Sequence, residues 1–404
     1  MTPKILILGG SPFQLPLIRR AKARGLRVAT CDYLPGNPGH GLADEYHNVS
    51  TTDRDGVLAL ARRIGADAVA TLASDPAVQT VSYVAEAQGL PGAPLGAVVP
   101  LTEKDAFREL MRSIGLRTPA SQVLAEADLP SLPDIAGLLA RSGRRHIVKP
   151  VDSCGSKGVT ALDADADGLA PAVRSALGHS RARRCIVETY VEGGAQIEGD
   201  GYLVAGRLVY HYFGDDQLHT AGGVRIPVST RWPSRQPAEV VGDLVRQVEA
   251  IAAASGYLDG PVNVEALVTP DNGVWVLEVA PRNGGNHLPL IQERLSGFDS
   301  VGAVLDAALG QAVRAPVAGK RQDPGAHYIL HVGVPGRFRG VRCSDVAHRH
   351  LVLLDVFKQP GEAVQPYAGS HTTIGVALMV FDNLDQRDRV MDDIGMHVSV
   401  DVCQ

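Results

Sequence analysis

The chain has 404 residues, 45% of them hydrophobic and 21% charged, which suits a soluble globular protein with two or three domains and excludes the disordered class. A net charge of −5 gives no reason to expect a nucleic-acid partner, and no apolar run is long enough to span a membrane, so a cytoplasmic protein is expected. Five scattered cysteines without a Cys-x-x-Cys pair argue against a disulfide framework and a structural zinc site.

The first hundred residues alternate strand and helix: strands at Lys4 to Leu8, Arg27 to Cys31 and Ala68 to Leu72, helices at Leu15 to Arg24 and Asp55 to Ile64. This pattern predicts an α/β, Rossmann-like parallel domain over residues 1–95. The Gly9-Gly10-Ser11 turn and Asp32 hint at a dinucleotide site, but the full Gly-x-Gly-x-x-Gly pattern is absent. After the Leu90 to Pro94 break a helix is expected to open at Thr102, with Thr102 and Asp105 as a capping box.

His146 to Lys149 reads as a strand leading into Gly155-Ser156-Lys157-Gly158, a turn whose backbone N–H groups could close over phosphates. It is not a Walker A loop. A lysine at the end of such a strand, Lys149, calls for an anion partner. Cys185 to Val187 is a further strand, running into Glu188-Thr189-Tyr190-Val191-Glu192. Arg225, in the glycine-rich stretch 222 to 227, could clamp a substrate carboxylate. His219, Asn286 and His287 lie in nearby loops within reach of an amine or substrate side chain, but a lone histidine is more often structural, so none is assigned as a general base.

Pro261 to Ala266 has strand alternation, and the turn formers Thr269 to Gly273 fold Val276 to Ala280 back against it. That hairpin can set Glu265 and Glu278 on one face, where Mg²⁺ with substrate phosphates would separate two like charges, while Arg282 and the following glycines suit an anion. Two solvated strand glutamates are the bland alternative. Beyond residue 320, strands are expected at His327 to His331 and Leu351 to Phe357, then a βαβ-like stretch from Thr373 to Val402; His348-Arg349-His350 lacks a third metal ligand.

Taken in order, Lys104, Lys149, the Gly-Ser-Lys-Gly turn, Glu188 to Val191, Glu265, and Glu278 with Arg282 resemble the ATP-grasp superfamily over nearly the whole chain. Lys358 to Glu362 and Ser370 to Val376 look like the C-terminal lobe of its biotin-carboxylase-like branch, which includes carboxylate-amine and L-amino-acid ligases. The resemblance implies an ATP-grasp domain at 96–312, α+β in character, with two sheets sandwiching ATP and a mobile lid at about 120–187, completed by a small α+β lobe at 313–404.

It also implies roles. Lys104 and Lys149 would contact the α- and β-phosphates, and Gly155, Ser156, Lys157 and Gly158 would form the lid tip. Glu188 would read the adenine amino group with Val191 against the ring, and Glu192 or Gln196 would take the ribose hydroxyls. Glu265 and Glu278 would hold Mg²⁺, or Mn²⁺ in its place, and Arg282 would face the transferred phosphoryl group. The family's asparagine two residues past the second glutamate is Ala280 here, so Asn283 or water would supply that ligand. The expected activity is ATP-dependent joining of a small carboxylate to an amine through an acyl phosphate, releasing ADP. Alternatives are a purine-pathway enzyme of the same superfamily acting on a ribonucleotide, and a nucleotide-binding regulator without turnover. The implied partners are small molecules, with surfaces for a two-fold dimer.

Overall fold

The computed structural model describes residues 2–221, 223–314 and 322–403. Gly222, in the stretch before Arg225, and residues 315–321, in the expected C-terminal lobe, lie outside the described residues.

The N-terminal unit is a four-strand parallel sheet in the order Glu45–His47, Arg27–Cys31, Lys4–Leu8, Ala68–Ala70. Its Lys-Ile-Leu-Ile-Leu strand is apolar on both faces because helices cover both, as a parallel sheet requires. The helix Arg54–Ile64 starts where Asp53 accepts from Gly56 N at 3.0 Å and stops at Gly65, whose φ of 60° few other residues adopt. The helix expected from Thr102 is in fact two, Leu95–Thr102 and Lys104–Ser113. Thr102 Oγ1 donates back to Val98 O and Val99 O, and Glu103 turns extended, so the capping box does not form.

The centre is an antiparallel sheet of eight strands, ordered Val274–Ala280, Gly260–Val268, Ala195–Val204, Arg207–Ala221, Val224–Trp232, Gly325–Leu330, Gly375–Val380, Leu351–Val356. One face packs on the helix Ala238–Ser255, through Leu244, Val248 and Ile251 against Val262, Val264 and Val276. The C-terminal strands thus extend the central sheet. The expected βαβ unit after Thr373 is not one: Gly375–Val380 belongs to the central sheet, whereas Val398–Cys403 pairs antiparallel with Gly336–Cys343 in a separate three-strand sheet.

A second antiparallel sheet, Ser121–Ala125, Arg184–Thr189, His146–Pro150 and Thr160–Leu162, carries its own core with the helices Leu132–Arg141 and Leu169–His179. Leu124, Val148, Val173 and Val187 meet there, so this unit buries apolar side chains of its own apart from the central sheet. The cleft lies between it and the central sheet.

Candidate active site

The floor of the cleft is set by strand register. Glu265 lies directly opposite Glu278 on one side and Glu198 on the other, a row of three carboxylates across adjacent strands. Like charges so placed repel. Burial first, then Glu278 and Glu198, push the Glu265 carboxyl up to about 8, and burial with Asp200 pushes Glu198 up to about 7. Arg282, with Nη2 3.9 Å from Glu278, and Lys104 only partly offset these acids, which fits a divalent cation between Glu265 and Glu278. Among the described residues no group of three or more His, Cys, Asp or Glu is arranged to hold a metal, so the remaining ligands would be phosphate oxygens and water.

The loop after Glu278 is organised from below. Asp200 accepts from Asn263 Nδ2 at 3.0 Å, from Gly284 N at 2.7 Å and from Asn283 Nδ2 at 3.2 Å. Gly284 is needed here, because a Cβ would stand 2.9 Å from the Asn263 amide nitrogen and 3.0 Å from the Asp200 carboxylate. Asn283 is 1% exposed and is not among the residues lining the cleft; its Nδ2 supports the loop through Asp200, while its Oδ1 is buried without a hydrogen-bond partner. Arg282 does line the cleft, but its guanidinium is bidentate to Asp75 of the N-terminal unit at 2.6 and 3.0 Å, and Nη1 donates to Asn263 Oδ1 at 3.0 Å.

At the opposite end, Glu188 is fully buried and takes both its cations from the protein. Arg108 Nε donates to one oxygen at 2.6 Å and Lys149 Nζ to the other at 2.7 Å. Burial alone would raise this carboxyl, yet Lys149 and Arg108 hold it down at about 2. The anion demanded by Lys149 is therefore Glu188 itself. Its carboxylate is committed to those two cations, and the strand end from Glu188 to Val191 lines the cleft. Arg108 also donates to Leu277 O at 3.0 Å, tying this strand to the Glu278 strand. Ile147, Val191, Leu267 and Leu277 supply apolar walls beside it.

Lys104 donates to Ser153 O at 2.7 Å and lines both the cleft and a neighbouring cavity of about 360 Å³ against Asp75, Arg54 and Arg181. Gly155 and Ser156 line the cleft with φ of 65° and 63°; Lys157 is exposed and, like Gly158, is not part of the lining. The turn touches the C-terminal loop, since a Cβ on Gly155 would collide with Ser370 Oγ and one on Gly369 would stand 2.6 Å from Gly155 O. Gln196 lines the cleft and donates to Asp216 at 2.9 Å, whereas Glu192 is exposed outside it. Arg225 reaches Gly194 O at 3.4 Å, next to the Glu188 to Val191 strand end.

Arg108, Asp75, Glu198 and Asp200 were missed by sequence reasoning. Arg108 stands four residues after Lys104 on one helix, and Glu198 and Asp200 alternate with Gly199 on a strand, a signal that two acids share a face. Asp75 carries no such signal, because its partner is 207 residues away.

Two sheets closing over a cleft with this floor constitute the ATP-grasp fold. No family model matches the chain. It is 27% identical over 327 residues to the formate-dependent phosphoribosylglycinamide formyltransferase of Paraburkholderia xenovorans, covering 78% of each chain. Among solved structures, the L-amino acid ligase of Bacillus licheniformis superposes with a TM-score of 0.83 at 20% identity, over 100% of this chain and 99% of that one. The biotin carboxylase domain of Hydrogenobacter thermophilus 2-oxoglutarate carboxylase, a dimer solved with MgADP and bicarbonate, superposes with a TM-score of 0.76 at 15% identity, over 100% and 92%.

Proposed function

We propose that this enzyme joins a carboxylate to an amine, using ATP to convert the carboxylate into an acyl phosphate that the amine then attacks. The observation that carries this reading is the Glu265–Glu278 pair at the floor of a cleft closed on one side by a glycine-rich turn and on the other by the Glu188 strand end. Mg²⁺ held by Glu265 and Glu278 would neutralise charge on the transferred phosphoryl group. Lys104 and the Gly155–Ser156 backbone supply donors to the phosphates, with Lys149 oriented by Glu188 at their edge. Val191, Ile147, Leu267 and Leu277 hold the base, and Gln196 meets the ribose. Arg282, fixed by Asp75, steadies the acyl-phosphate end. Cys154, the thiol in the cleft, is pushed up to about 11 by burial, so it stays protonated and is no nucleophile.

Within that chemistry two pairs of substrates stand. One is an amino acid or similar small acid with an amine, as expected from the sequence resemblance and as the name of the Bacillus ligase would suggest. The other is formate with a phosphoribosyl-linked amine, as the name of the formyltransferase relatives suggests, and it is the reading that the sequence relatives support, at 27% identity over 78% of the chain. Incubation with Mg²⁺, ATP, formate or pooled amino acids, and amines including phosphoribosylglycinamide, followed by mass detection, decides the matter. ADP with a product lighter by one water than its two substrates supports the ligase reading. ATP left intact with every pair, or AMP in place of ADP, defeats it.

A further inference from the structure

One wall of the cleft has no task in the roles just given. It is built on Gly325–Leu330, sixth in the order of the central sheet, whereas Glu278 lies on the first strand. His327, Ile329, Pro227 and Tyr367 line the cleft there. Ile226, Val228, Ile329 and Tyr367 pack into a small apolar cluster, and the Tyr367 hydroxyl donates to Pro227 O at 2.7 Å, which fixes the ring.

His327 is 1% exposed, and neither of its ring nitrogens has a hydrogen-bond partner. The indole N–H of Trp232, whose ring centre is 5.4 Å away, is likewise buried and unmet. Native structures leave few buried polar groups in that condition, and when they do the group commonly serves a ligand or water. Burial depresses the imidazole to about 3, so the ring is neutral, with one nitrogen donating and the other accepting.

The acids nearest this wall are Asp216 and Glu198, and the one cation at its edge is Arg225, beside Ile226 and Pro227. Thr230, the cross-strand partner of His327, donates to Asp216 at 2.6 Å, and the Tyr367 hydroxyl lies in the field of Glu198 and Asp216. A phosphate dianion needs guanidinium, ammonium or a nest of amides. Of the cations lining the cleft, Arg108 and Lys149 are bound to Glu188 and Arg282 to Asp75, while Lys104 donates to Ser153 O and Arg225 to Gly194 O.

We propose that His327 is the specificity-determining residue for the organic substrate, receiving an uncharged or cationic hydrogen-bonding group of a non-phosphorylated molecule, an amino acid or comparably small amine. The proposal rests on the ligase reading and narrows it away from a ribonucleotide. An apolar wall with one neutral hydrogen-bonding ring selects strongly, because a substrate lacking the matching group leaves the imidazole unpaired in the complex.

The test uses the full-length protein with Mg²⁺ and ADP and with histidine ring nitrogens labelled for NMR, the His327 signal being the one absent from His327→Gln. The common amino acids and glycinamide are added one at a time, and ribose 5-phosphate and phosphoribosylglycinamide in parallel. At least one unphosphorylated probe is expected to shift the His327 signal, and neither phosphate ester should do so at the same concentration. For a probe that also turns over, His327→Leu should raise its KM about 10- to 100-fold and that of MgATP by less than about twofold, with His327→Gln recovering most of the loss. Shifts produced by the phosphate esters, or by no probe at all, would overturn the proposal, the latter assigning the ring to a buried water. Failure of the ligase reading has a different signature: no ADP and no amide from any pair, while an amino acid still moves the His327 signal.

Discussion

Glu265 illustrates how a single position is set by its neighbours. Its carboxyl is raised from an ordinary value of 4.5 to about 8 by burial and by the acids on both adjacent strands. Between those values the folded protein holds a proton that the unfolded chain has released, so metal-free stability should fall as pH rises from about 4.5 to about 8. Thermal unfolding should accordingly show a larger stabilisation by Mg²⁺ with ADP at the alkaline end of that window, and Glu265→Gln should flatten the dependence. A stabilisation that is the same at both ends would count against cation binding at this pair. Glu278→Ala should reduce ATP turnover by more than about a hundredfold with cooperative unfolding retained, and an active Glu278→Ala enzyme would remove the metal assignment. These two acids are legible in the sequence because a turn between two alternating strands fixes which side chains share a face. The charge partners of Lys149 and Arg282 are not, since Glu188 and Asp75 are brought to them by packing alone.

Elements carry the next level of control. The strand Arg184–Thr189 and the helix Lys104–Ser113 are joined by the Arg108–Glu188–Lys149 triad, with side chains of Arg108 and Glu188 at 2% and 1% exposure. Arg108→Ala would leave Glu188 buried with one cation, and a loss of about 3 kcal/mol is expected in urea unfolding. An unchanged midpoint would mean that the triad does not bear on the fold. In the turn from Gly155 to Gly158, Gly155→Ala combines a positive φ with a collision against Ser370 Oγ, so the contact with the C-terminal loop should loosen. The expected outcome is a severalfold higher KM for ATP and faster proteolysis in 153–158, and normal values for both would exclude this contact from closure. The two helices at Leu95–Thr102 and Lys104–Ser113 are a case where local reading failed: the hydroxyl of Thr102 served its own helix instead of capping the next.

In the whole molecule, the N-terminal unit and the central sheet meet at Asp75 and Arg282, a bidentate pair at the boundary of the cleft and the neighbouring cavity. Asp75→Asn keeps the shape and removes the charge, so kcat/KM should fall about 10- to 100-fold while ADP binding, followed by calorimetry, changes little. If ADP affinity fell in step with turnover, Asp75 would be shaping the nucleotide site and not the acyl-phosphate end. No helix of the described residues is long and apolar enough to cross a membrane.

The sequence by itself determined the parallel N-terminal sheet and the hairpin that sets Glu265 opposite Glu278, because hydrophobic period and turn residues are local properties of a chain, and it carried the ordered motifs whose resemblance pointed to the ATP-grasp fold. Tertiary structure alone decided that the C-terminal strands complete the central sheet, that Glu188 is spent on Arg108 and Lys149, that Asp200 underlies the Arg282 loop, and that His327 stands unpartnered in the cleft. Each of these depends on strand order or on partners many residues apart, and strand order follows from which faces must be buried against one another, a condition on the folded whole and not on any segment of it.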